Sequence, residues 1–263
     1  STTGSITITD GANGNIAITP NGTGAIQLDG LSWPTADGSA NQVLKTDGSG
    51  SLSWSSAATA INGLSDALVE DTGSIYLGND PSSSTDGADY NVSVGTTALD
   101  AVTTGYSNTA IGYNSLTENL AGDRNTAVGA NALKSNTTGY SNTALGYNAL
   151  TANLAGDRNT AVGANALKSN TTGITNVAVG SSALESNTTA NRNTSVGHAS
   201  SFKLSSGQNN VTLGHEASKN MTNANDNVII GSGANPSADT GTANQTVIGY
   251  GTTGQTDNSV TLG

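Results

Sequence analysis

The chain of 263 residues carries 8 basic and 19 acidic side chains for a net charge of −11, with 10% charged residues, 4% aromatic residues and no cysteine. So acidic a surface is a poor partner for nucleic acid, the missing thiols exclude disulfides and thiolate metal sites, and no run approaches the roughly 18 apolar residues that membrane insertion requires. So few aromatic and charged residues argue against a conventional globular core; burial must come from stacking like on like.

Residues 1–30 read as short strands with alternating apolar positions, Ser5 to Thr9, Asn15 to Thr19 and Ala25 to Leu28, broken by the turns Asp10-Gly11, Asn13-Gly14 and Pro20-Asn21-Gly22. The first residues lack the basic and apolar regions of a signal peptide, and the chain starts in mid-pattern, as a piece of something longer would. Strands this short need partners. Wound with two further copies of itself, this stretch would make an intertwined, triple-stranded β shaft.

Over 31–60 a Leu-Ser-Trp unit occurs twice, ending at Trp33 and Trp54, with Asp47-Gly48-Ser49-Gly50 as the turn between. Both tryptophans could stack on sugar rings, but packing anchors in a small trimeric knob are the simpler expectation. A connector over 61–73 carries Ile61, Leu64, Leu68 and Val69 at spacings of three and four, which predicts a short helical turn. The acidic stretch Asp80 to Asp89 lacks the glycine and the closing glutamate of a calcium loop and reads as a solvated insertion.

From 74 to 249 a glycine returns every 17 residues: Gly78, Gly95, Gly112, Gly129, Gly146, Gly163, Gly180, Gly197, Gly214 and Gly231. A period so short and strict predicts an all-β solenoid of 17-residue coils. Each glycine follows an aliphatic residue such as Ile111, Val128 or Leu145, and the residue two places before that one, such as Thr109, Thr126 or Thr143, lies on the same strand face. Small residues, Ala110, Ala127, Ala144, Ala161, Ala178 and Ser195, lie between them, as a tight packing surface requires. The apolar pairs after each glycine, among them Ala132-Leu133 and Ala149-Leu150, predict a second short strand per coil.

Four places before the glycine stands an asparagine in successive coils: Asn91, Asn108, Asn125, Asn142, Asn159, Asn176, Asn193, Asn210 and Asn227. Stacked about 4.8 Å apart, such amides can donate to one neighbour and accept from the other. This predicts a structural asparagine ladder rather than a ligand site. Two 34-residue blocks, Tyr106 to Gly139 and Tyr140 to Gly173, differ only at Ile111/Leu145, Ser115/Ala149 and Glu118/Ala152, so the array has been extended by duplicating a two-coil unit. After Gly231 the spacing becomes 18, to Gly249, and then 14, to Gly263, which predicts a terminal strand or cap over 250–263.

The phrases Asn108-Thr-Ala-Ile-Gly-Tyr-Asn-Ser-Leu116 and Asn125-Thr-Ala-Val-Gly-Ala-Asn-Ala-Leu133 resemble the head repeat of trimeric autotransporter adhesins of the YadA type, which also occurs in bacteriophage tail fibres. The resemblance covers about two thirds of the chain, from 74 to 249. It implies a left-handed parallel β-roll with three chains side by side, hence a homotrimeric fibre. The repeat departs from the family's shorter coil by longer polar turns such as Lys134 to Gly139. The Leu-Ser-Trp passage is similar to segments of phage tail fibres and other virion proteins, which favours the phage side of the family. The closing Asn258 to Gly263 resembles the lead into the self-cleaving chaperone domain of many such fibres.

The expected role is thus attachment: a tail fibre held by other virion tail proteins and presenting its exposed columns to a host glycan or protein receptor. The alternative is the head of a bacterial surface adhesin. Tyr106 and Tyr140, and likewise Tyr113 and Tyr147, lie two coils apart and are candidate platforms for glycan or receptor contact, with packing as the simpler account. Arg124, Arg158 and Arg192 form a column, with Asp123 and Asp157 beside the first two; ion pairing within or between chains is the simpler expectation and ligand contact the alternative. His198 and His215 could converge on a metal; a stack of neutral rings is the simpler reading, so no metal and no cofactor is assigned. No nucleophile elbow, P-loop or zinc-binding helix motif is present, and the acids sit mostly in turns, so no enzymatic activity is expected. An ice-binding role is disfavoured because the paired threonines, such as Thr103-Thr104 and Thr137-Thr138, skip a coil and fall in turns.

Overall fold

The computed structural model describes residues 27–28, 31–34, 36–40, 42–56, 67–69, 73–78 and 88–263. Two compact units divide the chain, Ser1–Ala60 and Ile61–Gly263. Most of the expected shaft over 1–30 and most of the Asp80 to Asp89 insertion lie outside the described residues.

In the first unit, β1 (Gln27–Leu28) pairs antiparallel with β2 (Leu31–Ser32), and β3 (Gln42–Thr46) with β4 (Leu52–Ser56). The Asp47 carboxylate closes the β3–β4 turn by accepting the backbone N–H groups of Ser49 and Ser51 at 2.8 and 3.0 Å, and those bonds hold its carboxyl below the ordinary carboxylate range. Trp54 packs its ring where a Cβ on Gly38 would stand and donates its indole N–H to the Ala36 carbonyl at 2.8 Å. It is an anchor, as expected. Trp33 is 38% exposed.

The second unit opens with β5 (Ala67–Val69), antiparallel to β6 (Ile75–Leu77). Here the expected helical turn is wrong at Leu68 and Val69. Their spacing says less than the free edge of β6, whose backbone groups are satisfied by a pairing strand and not by a helix. The strands β7 (Val92–Val94), β8 (Thr109–Ile111), β9 (Thr126–Val128), β10 (Thr143–Leu145), β11 (Thr160–Val162), β12 (Val177–Val179), β13 (Thr194–Val196) and β14 (Val211–Leu213) then follow, one per 17-residue coil. Beyond them come β15 (Asn223–Asn225), β16 (Val228–Ile230), β17 (Thr240–Ala243), β18 (Thr246–Ile248) and β19 (Val260–Leu262).

One 13-stranded sheet runs from β5 to β19, leaving out β15 and β17, which pair with each other. Every neighbour pair from β6 onward is parallel and in register, as in Thr143↔Thr160, Ala144↔Ala161 and Leu145↔Val162. The segment after Tyr250 is therefore a continuation of the stack, since β19 pairs with β18 as Thr246↔Val260, and the longer spacing is absorbed in loops.

Within each coil the strand's middle residue points inward. Ala110, Ala127, Ala144, Ala161 and Ala178 are fully buried, whereas the threonine and aliphatic residues on either side face outward. The small residues fill the roll because opposite walls lie close together, and the bulkier face is left outside. The second strand expected at the Ala-Leu pairs does not form among the described residues; the extra strands β15 and β17 fall later in their coils. Asn131 (φ 59°) and Leu133 (φ 50°) adopt left-handed backbone that no strand can contain, and the N–H of Asn136 bonds the Leu133 carbonyl at 3.1 Å in a turn. Each left-handed leucine costs about 1–2 kcal/mol. That is offset by complete burial of its side chain, which contributes about 1.5–3 kcal/mol, and by a coil-to-coil bond, as from the Leu133 N–H to the Ala149 carbonyl at 3.0 Å.

The glycine that ends each strand has two constraints. At Gly163 φ is +134°, and an added Cβ would lie 2.6 Å from the carbonyl carbon and oxygen of Gly180 in the next coil. Gly163→Ala is expected to destabilise the fold by about 1–3 kcal/mol, measured by chemical denaturation. Unchanged stability would show that the coil has room to shift.

Candidate functional site

Coils this narrow have an interior of asparagine as much as of alanine and leucine. Asn91, Asn108, Asn125, Asn142, Asn159, Asn176, Asn193, Asn210 and Asn227 are all buried, and each stands where the chain enters a strand. The most regular bond is to the backbone: the Oδ1 of Asn125 accepts the N–H of Asn142 at 3.0 Å, and that of Asn142 the N–H of Asn159 at 2.9 Å. The Nδ2 donates across the coil to a carbonyl 14 residues ahead, as from Asn142 to Gly156 at 2.8 Å. Amide-to-amide bonds run alongside, from Asn142 Nδ2 to Asn125 Oδ1 at 3.1 Å and from Asn210 Nδ2 to Asn193 Oδ1 at 2.9 Å. With both ends of each amide engaged inside the roll, this column has nothing left for a ligand.

A second buried column, Asn119, Asn136, Asn153, Asn170 and Asn187, was missed by sequence reasoning. Its amides bond in series, Asn136 to Asn119 at 2.8 Å, Asn153 to Asn136 at 2.7 Å and Asn170 to Asn153 at 2.7 Å, and each also donates to the glycine carbonyl three residues on. The same 17-residue spacing was there to find it. The signal is weaker because Val102, Leu204 and Met221 hold this place in other coils.

The outward face of the sheet is apolar along one column. Ile111 is 40% exposed, Leu145 48%, Leu213 46% and Leu262 72%, with Val128, Val162, Val179 and Val196 between them half-buried. Beside it runs a mixed column of Thr109, Thr126, Thr143, Thr160, Val177, Thr194 and Val211.

The tyrosines separate into two kinds. Arg124 lies over the ring of Tyr106 at 5.7 Å and Arg158 over that of Tyr140 at 5.0 Å, with Arg158 also donating to the Tyr140 hydroxyl. The expected ion pairs with Asp123 and Asp157 do not form in this chain. Those carboxylates accept the backbone N–H groups of Tyr106 and Tyr140 at 3.1 and 3.0 Å, which holds them away from the guanidinium groups. Arg192 stacks one coil beyond Ile174, which offers it no ring. Tyr113 and Tyr147 are 58% and 57% exposed and no cation covers them, so they are the freer platforms. His198 and His215 stack at 5.2 Å between centroids, with an interplanar angle of 14°.

A scan against family models finds no match, and searches of curated proteins and of solved structures return no similar chain. No helix among the described residues is long and apolar enough to cross a membrane.

Asn142→Ala would strand the buried N–H of Asn159, at about 1–3 kcal/mol, and would take one of two donors from the Gly156 carbonyl, which keeps the Asn153 amide. Thermal unfolding should begin at lower temperature, and amide exchange should accelerate first in the neighbouring coils; an unchanged profile would mean that water replaces the side chain.

Proposed function

We propose that the chain is the elongated, surface-presenting part of a homotrimeric bacteriophage tail fibre. The observation that carries the reading is the apolar outward column of the parallel sheet, continued from Leu77 to Leu262. A contiguous apolar stripe of this length is unusual on a monomer and is the common mark of an interface. Because every coil repeats it, the partner that fits along its length is another copy with the same period. Three copies closing on this face would bury the aliphatic column and leave the polar turns outside.

Stacking then sets the role. About 50 Å of parallel sheet, at about 4.8 Å per strand, holds distance rigidly, and the turns bearing Tyr113 and Tyr147 repeat along it two coils apart. Aromatic platforms in a row suit the faces of sugar rings in a host surface glycan. Other virion tail proteins would hold the fibre. The Leu-Ser-Trp passage supports the phage setting, and the repeat is equally compatible with a bacterial adhesin head.

Immunogold electron microscopy of the source material with antibody against this chain tests the setting. Gold on tail-associated fibres is expected. Gold on a cell envelope would replace the virion reading by the adhesin one.

A further inference from the structure

We propose that His198, His215 and Glu216 form a binding site for a divalent transition-metal ion of the zinc, nickel and copper class. The ligand-bearing atoms of these three residues lie within 4.8 Å of one another, and no other group of three or more His, Asp and Glu side chains among the described residues is so arranged. They include both histidines of the chain.

The solenoid makes the cluster. His198 and His215 each follow the strand-ending glycine of successive coils, and backbone bonds on either side fix the two rungs: Gly214 N–H to Val196 carbonyl at 2.8 Å and Glu216 N–H to His198 carbonyl at 2.8 Å. The imidazoles are held one above the other, both exposed, and no hydrogen bond engages their nitrogens. Ligation would require the rings to turn from this stack until one nitrogen of each stands about 2.0–2.1 Å from a common ion. Rigid rungs keep the Cα positions in place while the rings turn.

Glu216 supplies the third donor. In four earlier coils its place is held by Asn114, Asn131, Asn148 and Asn165, which bond to one another in series. The backbone there is left-handed, φ 54° at Glu216, a conformation that asparagine accepts more readily than glutamate. Backbone preference therefore gives no reason for a carboxylate beside two imidazoles. Lys219 engages Oε1 at 2.7 Å, which leaves the second carboxylate oxygen for a metal.

Two nitrogens and one oxygen are a borderline donor set, which selects zinc, nickel or copper over calcium and magnesium. Three protein ligands leave a fourth position for water or for a group from another molecule.

The test uses the full chain without an affinity tag, titrated calorimetrically with zinc chloride, together with the electron paramagnetic resonance spectrum of its copper(II) complex. One zinc ion per chain is expected, with two imidazole nitrogens in the copper spectrum. His198→Ala and His215→Ala should each lower the affinity by about tenfold or more, and Glu216→Gln by a smaller factor. All three side chains lie at the surface, so circular dichroism should be unchanged. No saturable binding, binding that survives loss of both histidines, or a copper spectrum without nitrogen ligands would overturn the site.

Discussion

The structure depends on hydrogen bonds that pass from coil to coil. A 17-residue turn of chain encloses so little that its interior holds only a pair of alanines, a leucine and two asparagines, as Ala127, Ala132, Leu133, Asn125 and Asn136 do in one coil. Apolar burial at that scale cannot order the loop by itself. What orders it is that the N–H and carbonyl groups of strand, corner and turn find partners in the next coil, and that the asparagines fill the places where the backbone cannot reach. Each coil is thus a template for its neighbour. Stability is accordingly a sum over interfaces between adjacent repeats, and a broken rung is felt first by the coils beside it.

Much of this was legible in the sequence because the same constraint acts at the same place in every coil. The glycine and asparagine columns repeat at one spacing and mark the strand end and the strand start. The side of the strand that faces in was harder to read. Hydrophobicity alone would place Val128 inside and Ala127 outside; the narrowness of the roll reverses this, and narrowness is a property of the closed coil, not of its residues. The Ala-Leu pairs misled for a related reason. An apolar pair has the composition of a strand, but Leu133 takes left-handed backbone, which its own propensity opposes and which only the closure of the coil enforces. Leu68 and Val69 show the converse, where a helical spacing yields to the unpaired edge of a sheet.

The candidate sites were legible as columns but not as contacts. Spacing put Arg124 and Arg158 beside acidic residues, yet Asp123 and Asp157 are occupied by backbone N–H groups, so the guanidinium groups rest on tyrosine rings instead. Tyr106 and Tyr140 are half-committed by that stacking. Tyr113 and Tyr147 stay open to a partner. Glu216 joined the two histidines only once the turn geometry placed it beside them.

Because the small residues are drawn inside, the aliphatic ones are displaced to the outer face, on which the proposed trimer would close. On that proposal, association would follow from the coil's narrowness. Sedimentation velocity and equilibrium of the purified chain test this most directly. The account predicts an elongated particle of about three times the 25.9 kDa chain mass, and a stable, compact monomer would contradict it.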